Sequence, residues 1–132
     1  MHKLDLKQPL KHLYQPSTKQ FTVVDVPPMN FLLIDGAGNP NTSADYKQAV
    51  EALYSLAYTL KFAIKKTQQT DYGVMPLEGL WWVPDMATFS TERKDDWLWT
   101  MMILQPDFIT PEQVEDARVA AAKKKDLPAL PK

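Results

Sequence analysis

The chain has 132 residues, 45% of them hydrophobic, which suits one soluble domain with a core of its own. A formal net charge of −1 with scattered bases argues against a nucleic-acid interface. No apolar run or signal peptide points to a membrane, so we expect a cytoplasmic protein. The absence of cysteine excludes disulfides, and His2 and His12 lack the clustered partners of a zinc site or a serine–histidine arrangement, so we expect no metal and no cofactor.

The N-terminal part of the chain is predicted to be a leader over residues 1–20, lying across the surface of the domain. Its prolines interrupt any long helix. A first strand is predicted at residues 21–26, which are rich in β-branched side chains, and a second at residues 29–35. The dipeptide at positions 27 and 28 is Pro-Pro and turns the chain between them.

One long helix is predicted from about Asp45 to about Lys66, with Asn41, Thr42 and Ser43 as candidate N-caps. Apolar residues recur along it at spacings of three and four, namely Tyr46, Val50, Leu53, Ala57, Leu60 and Ile64. Tyr54, Tyr58 and Phe62 form an aromatic line beside this stripe. The line is interpreted either as the flank of a wide core face or, for Tyr54 and Tyr58, as side chains that reach over the sheet edge into a cavity.

The segments 77–83 and 97–104 contain all four tryptophans and alternate with period two, which predicts a pair of strands that needs cover on both faces. Glu78 is the one carboxylate within this aromatic surface. The pair is either a core hairpin with an exposed glutamate or an aromatic-walled pocket with one charged group. The polar connection from Pro84 to Asp96 is long enough to be a lid, or is a mobile surface loop.

A shorter helix is predicted from Pro111 to about Lys124, because Thr110 and Gln113 have the spacing of a capping box. Residues 127–132 are expected to be a linker. The expected fold is α+β: a four-stranded antiparallel sheet with the long helix on one face and a short C-terminal helix, in a module that spans residues 21–126.

With this order of elements, the chain resembles the first module of a GyrI-like small-molecule-binding domain. The resemblance rests on residues 10–14, 26–36, 46–54, 76–82 and 99–103. It implies a domain of two strand-helix-strand-strand modules with a groove between them. The second module is missing here, so we expect a second module or a second copy of the chain as partner, beside a small-molecule ligand. In the family a better-known groove glutamate comes from that second module and has no counterpart in this sequence.

The resemblance implies two kinds of function, since relatives bind bulky cationic aromatic compounds or hydrolyse strained, cyclopropane-bearing toxins. For multidrug binding, the expected ligand residues are Tyr54, Tyr58, Glu78, Trp82, Trp99 and Met101. For a detoxifying hydrolase, Glu78 would act as general acid or position water, and Tyr54 or Tyr58 would stabilise an oxyanion. With only one candidate carboxylate, the sequence favours binding over hydrolysis. A protein-interaction domain of the gyrase-inhibitor type is a third alternative.

Overall fold

The computed structural model describes residues 2–6, 9–14, 29–88, 90 and 94–124. Short 3-10 turns at Met86–Thr88 and Lys94–Asp96 lie in the connection between the last two strands. The helices and strands are, in chain order, β1 (His2–Leu4), α1 (Lys11–Tyr14), β2 (Phe31–Ala37), α2 (Ala44–Gln68), β3 (Thr70–Tyr72), β4 (Glu78–Trp82), β5 (Leu98–Leu104) and α3 (Pro111–Lys124).

The fold is α+β, as predicted, but the sheet differs from the prediction. In the described part of the chain the antiparallel sheet has three strands, in the order β2-β5-β4, and not four. The strand predicted at residues 21–26 falls outside the described residues. A second, two-stranded sheet pairs β1 with β3 in parallel. Its strands have three residues each, too short for an alternating pattern, and β1 falls within the predicted leader.

The long helix α2 covers one face of the three-stranded sheet, here called the inner face. Leu32, Ile34, Trp99, Met101 and Ile103 lie on this face and are at most 7% exposed. The predicted apolar stripe of α2 is confirmed for Leu53, Ala57, Leu60 and Ile64, which are buried, whereas Tyr46 and Val50 are only partly buried. The buried face also includes Ala49, Ala52 and Leu56. The side chain of Ser43 caps the helix by accepting a hydrogen bond from the Tyr46 backbone N–H at 3.3 Å.

Two glycines provide the space in which the largest inner-face side chains pack. A Cβ atom at Gly36 would overlap the indole ring of Trp99, which lies beside it on β5. A Cβ atom at Gly79 would overlap the terminal methyl of Met101. Glycine at these positions therefore lets Trp99 and Met101 lie against the backbone of the neighbouring strands.

The C-terminal helix α3 begins with the predicted capping box. Gln113 Oε1 accepts from the Thr110 N–H at 2.9 Å, and Thr110 Oγ1 accepts from the Gln113 N–H at 3.1 Å. Ala117 and Ala121 are its buried residues that join the core. Among the described residues, no helix is both long and apolar enough to cross a bilayer.

Candidate functional site

The face of the three-stranded sheet that is turned away from α2, here called the outer face, carries the candidate site. The register pairs Glu78 with Met102 and Asp35 with Thr100 across β5. The central residues of the outer face are therefore Leu33, Asp35, Glu78, Leu80, Trp82, Leu98, Thr100 and Met102. This face combines two carboxylates with a mainly apolar surface.

Glu78 is held by a tyrosine from the N-terminal part of the chain. The Tyr14 hydroxyl donates a hydrogen bond to Glu78 Oε2 at 2.6 Å, across 64 positions of sequence. The short helix α1 places this tyrosine, and Leu10 and Tyr14 both pack against the core. Because α1 brings a phenol to a strand carboxylate, the arrangement depends on a long-range contact.

The environment of Tyr14 keeps its hydroxyl protonated. Desolvation by burial raises the pKa of Tyr14 well above its usual value, and the hydrogen bond to Glu78 and the charge of that carboxylate raise it further. Tyr14 is therefore a hydrogen-bond donor at every physiological pH. The pair presents a carboxylate with one oxygen fixed by a neutral donor.

Asp35 is the second carboxylate of the outer face, on the strand at the other side of β5. Its Oδ1 accepts a hydrogen bond from the Thr100 hydroxyl. Thr100 is only 9% exposed, so the group that holds Asp35 is itself fixed in the sheet. Asp35 remains exposed to solvent.

The surface around the two carboxylates is apolar. Leu33 is 52% exposed and Leu80 is 56% exposed, so both present aliphatic surface to solvent beside the carboxylates. Trp82 lies half-buried on the same face, two positions after Leu80 on β4. A flat or aliphatic group bound here would cover apolar surface while its polar atoms met a carboxylate.

Of the predicted site residues, Glu78 and Trp82 lie on the outer face, at the two ends of β4, and the other four lie elsewhere. Trp99 and Met101 are each 1% exposed on the inner face, where Trp99 meets the ring of Tyr46 edge-on with centroids 5.4 Å apart. The remaining two, Tyr54 and Tyr58, belong to α2, on the side of the sheet opposite Glu78.

The two helix tyrosines have different surroundings. Tyr54 is half-buried and packs against the core. Tyr58 is 46% exposed, and its ring stacks on that of Phe62 at a centroid distance of 6.4 Å. Neither tyrosine lies on the outer face, so neither lies on the side of the sheet that carries Glu78.

Three residues of the site, Tyr14, Asp35 and Thr100, were missed by the reasoning from sequence. Asp35 had a usable signal, because it interrupts an apolar strand in the same way as Glu78 does. Tyr14 had none, since nothing in a four-residue helix indicates which distant strand it touches. No group of three or more potential metal ligands occurs within the described segments.

No protein-family model matches the chain, and no curated protein matches it. Solved structures from Listeria innocua do. One, described as an uncharacterized conserved protein, is 39% identical with a TM-score of 0.84, and the match covers 96% of this chain and 62% of that one.

Two further structures from Listeria innocua are described as hydrolases. Each is 40% identical over 96% of this chain, with TM-scores of 0.76 and 0.79. The matches cover 63% and 62% of those chains. The chain therefore spans less than two thirds of the length of the solved structures that it matches.

Proposed function

We propose that the chain contributes the catalytic face of a hydrolase, with Glu78 as the proton-accepting group and Tyr14 as the residue that positions it. The observation that carries this proposal is the 2.6 Å hydrogen bond from Tyr14 to Glu78 on the outer face. Support also comes from the two hydrolase structures that are 40% identical to this chain.

The chemistry that this pair supports is the activation of water. Tyr14 holds Oε2 of Glu78, so the other carboxylate oxygen accepts a proton from a water molecule. The water oxygen then forms a bond to an electrophilic carbon of the substrate. Tyr14 touches Glu78 and not the reacting atoms, which makes it a positioning residue.

The substrate class that we propose is a small molecule with an apolar body and a strained, electrophilic ring, in line with the GyrI-like resemblance. When water attacks a cyclopropane carbon, the strained carbon–carbon bond breaks and its electron pair passes through the conjugated system to a carbonyl oxygen. That oxygen takes up the proton from Glu78. The product is the substrate plus one water, and the carboxylate is restored.

The test is hydrolysis of a spirocyclopropyl cyclohexadienone by the purified chain, followed by mass spectrometry for the addition of one water. Glu78→Gln should abolish the reaction, since a neutral amide cannot accept the proton. Tyr14→Phe should lower kcat more than it raises KM. Glu112→Gln, an exposed carboxylate in the first turn of α3, is the matched control and should react normally. Equal rates for Glu78→Gln and the control contradict the proposal.

A second candidate function is binding without turnover of flat aromatic or cationic molecules on the same face. The specific observation in its favour is the exposed apolar surface next to two carboxylates, formed by Leu33, Leu80 and half-buried Trp82.

Quenching of tryptophan fluorescence by a flat cationic dye tests the binding function. Trp82→Ala should weaken dye binding several-fold. Trp81→Ala is the matched control, because Trp81 pairs with Trp99 and so belongs to the inner-face set. A dye that binds both variants equally well contradicts binding at the outer face.

We also propose that the outer face is completed by a second module or by a second copy of the chain. The exposure of Leu33 and Leu80 supports this, since apolar groups at a sheet surface gain from cover. If a second copy completes the face, light scattering of the purified chain should give a mass above that of one chain. If a second module completes it, the chain alone should be a monomer that binds a dye for apolar surface. A cooperatively folded monomer that binds no dye for apolar surface would contradict it.

A further inference from the structure

Asp35 is the outer-face carboxylate that takes no part in the proposed activation of water by Glu78 and Tyr14. It lies on β2, while Glu78 lies on β4, and β5 separates them. Asp35 pairs with Thr100 and Glu78 pairs with Met102, so the two carboxylates are offset by two residues along β5. They occupy two ends of a diagonal across the sheet.

The length of this diagonal follows from sheet geometry. Two interstrand steps and one two-residue step along a strand place the two Cα atoms about 12 Å apart. The residues between and beside them are Leu33, Leu80, Thr100 and Met102, which are apolar apart from one hydroxyl. The carboxylates thus mark the ends of a mainly apolar path.

The charges along this path have one sign. The residues that the three strands place on the outer face include Asp35 and Glu78 and no lysine or arginine; they are Phe31, Leu33, Asp35, Ala37, Glu78, Leu80, Trp82, Leu98, Thr100, Met102 and Leu104. Two like charges without a basic partner on the strands attract a ligand with complementary positive charge.

The orientation of Asp35 is fixed by its partner. Thr100 donates to Oδ1 from a position that is 9% exposed, so one carboxylate oxygen is held against the sheet. A carboxylate with one fixed oxygen loses little conformational entropy when the other binds a ligand. Because Asp35 is exposed, its second carboxylate oxygen is accessible to a ligand.

We propose that Asp35 is a specificity-determining residue that binds a cationic or strongly hydrogen-bond-donating group of the substrate, at the end of the outer face opposite Glu78. The site then selects elongated aromatic molecules whose cationic group lies about 12 Å from the atom that meets Glu78. This inference rests on the proposed function, because it takes the outer face as the ligand-binding face.

The experiment compares an aromatic diamidine, stilbamidine, with the single amidine benzamidine, by calorimetric titration of the whole chain. Stilbamidine has a cation at each end and can meet both carboxylates, whereas benzamidine can meet one. Asp35→Asn keeps the shape and an acceptor for Thr100 and removes the charge. This variant should raise the Kd for stilbamidine about tenfold, as expected for the loss of one charge-assisted hydrogen bond. It should also reduce the dependence of that Kd on salt concentration. Benzamidine should be affected much less.

Asp107→Asn is the matched control, an exposed aspartate beyond β5, and should bind both probes as the unaltered chain does. If Glu78→Gln and Trp82→Ala weaken stilbamidine but Asp35→Asn does not, the role of Asp35 is overturned and the outer face stands. If none of the three variants weakens it, or if stilbamidine does not bind, the outer face itself is overturned as the binding face. Circular dichroism and a cooperative urea transition verify that each variant is folded.

Discussion

Substitution of Gly36 by alanine tests whether Trp99 packs against the backbone of β2. The added Cβ would lie 2.7 Å from Cζ3 of the Trp99 indole and nearer still to Cη2 and Cζ2. Carbon atoms pack at about 3.5–4.0 Å, so the ring must move. It has little room to do so, since Trp99 is 1% exposed and its ring meets Tyr46 edge-on.

The expected magnitude combines two opposing effects. Overpacking of a core costs about 1–3 kcal/mol. Replacing glycine in a strand returns about 0.5–1 kcal/mol, because the unfolded chain loses conformational freedom. Gly36→Ala should therefore lower the free energy of unfolding by about 1–2 kcal/mol, measured by urea denaturation with tryptophan fluorescence.

Gly73→Ala provides the matched control, because a Cβ at Gly73 meets no atom within 4 Å. That variant should be neutral or slightly stabilised. A double variant, Gly36→Ala with Trp99→Phe, should lose less stability than the sum of the single losses, since the smaller ring relieves the overlap. If Gly36→Ala is as stable as Gly73→Ala, Trp99 does not lie against β2 and the assignment of the inner face is wrong.

Two further predictions concern the core and the last helix. Tyr72 is 4% exposed with a buried hydroxyl that has no partner within the described part of the chain, so Tyr72→Phe should raise the free energy of unfolding by about 1 kcal/mol in urea at pH 7. Burial, and then the charge of Asp71, raises the pKa of Tyr72 from 10.0 to about 12. The stability that depends on protonated Tyr72 is therefore complete below pH 10 and is lost as the pH rises towards 12. Tyr72→Phe should flatten this alkaline fall in the free energy of unfolding, and an unchanged fall counts against the burial of Tyr72. Thr110→Ala removes the acceptor of the Gln113 N–H and should lower the free energy of unfolding by about 1 kcal/mol in the same urea assay. Thr42→Ala, at an exposed threonine outside the capping box, is the control and should lower it less. Equal losses would mean that the capping box does not stabilise α3.

Local sequence patterns were sufficient for the elements whose signals repeat along the chain. The apolar spacing from Leu53 to Ile64 predicted the buried stripe of α2, and Thr110 with Gln113 predicted the start of α3. Period-two alternation predicted β4 and β5 to within a few residues. These features depend on contacts between near neighbours in the chain, so they are readable from it.

The small parallel sheet had no such signal. Strands β1 and β3 have three residues each and pair over a separation of 68 positions, as His2 with Thr70. Their stability depends on that pairing and on packing against the rest of the domain, and neither is encoded within three residues.

The composition of the outer face was decided by the tertiary structure. Alternation assigns the residues of one strand to two faces, but it leaves open which set of a second strand joins which face. The register pairs Trp81 with Trp99 and Trp82 with Leu98, so Trp82 and Trp99 lie on opposite faces of the sheet. The same register puts Asp35 on the face of Glu78, and the packing of α1 adds Tyr14. The sequence by itself determined the helices α2 and α3 and the strands β4 and β5, because their signals lie within each segment. Long-range pairing, which no local pattern encodes, determined which side chains lie beside Glu78.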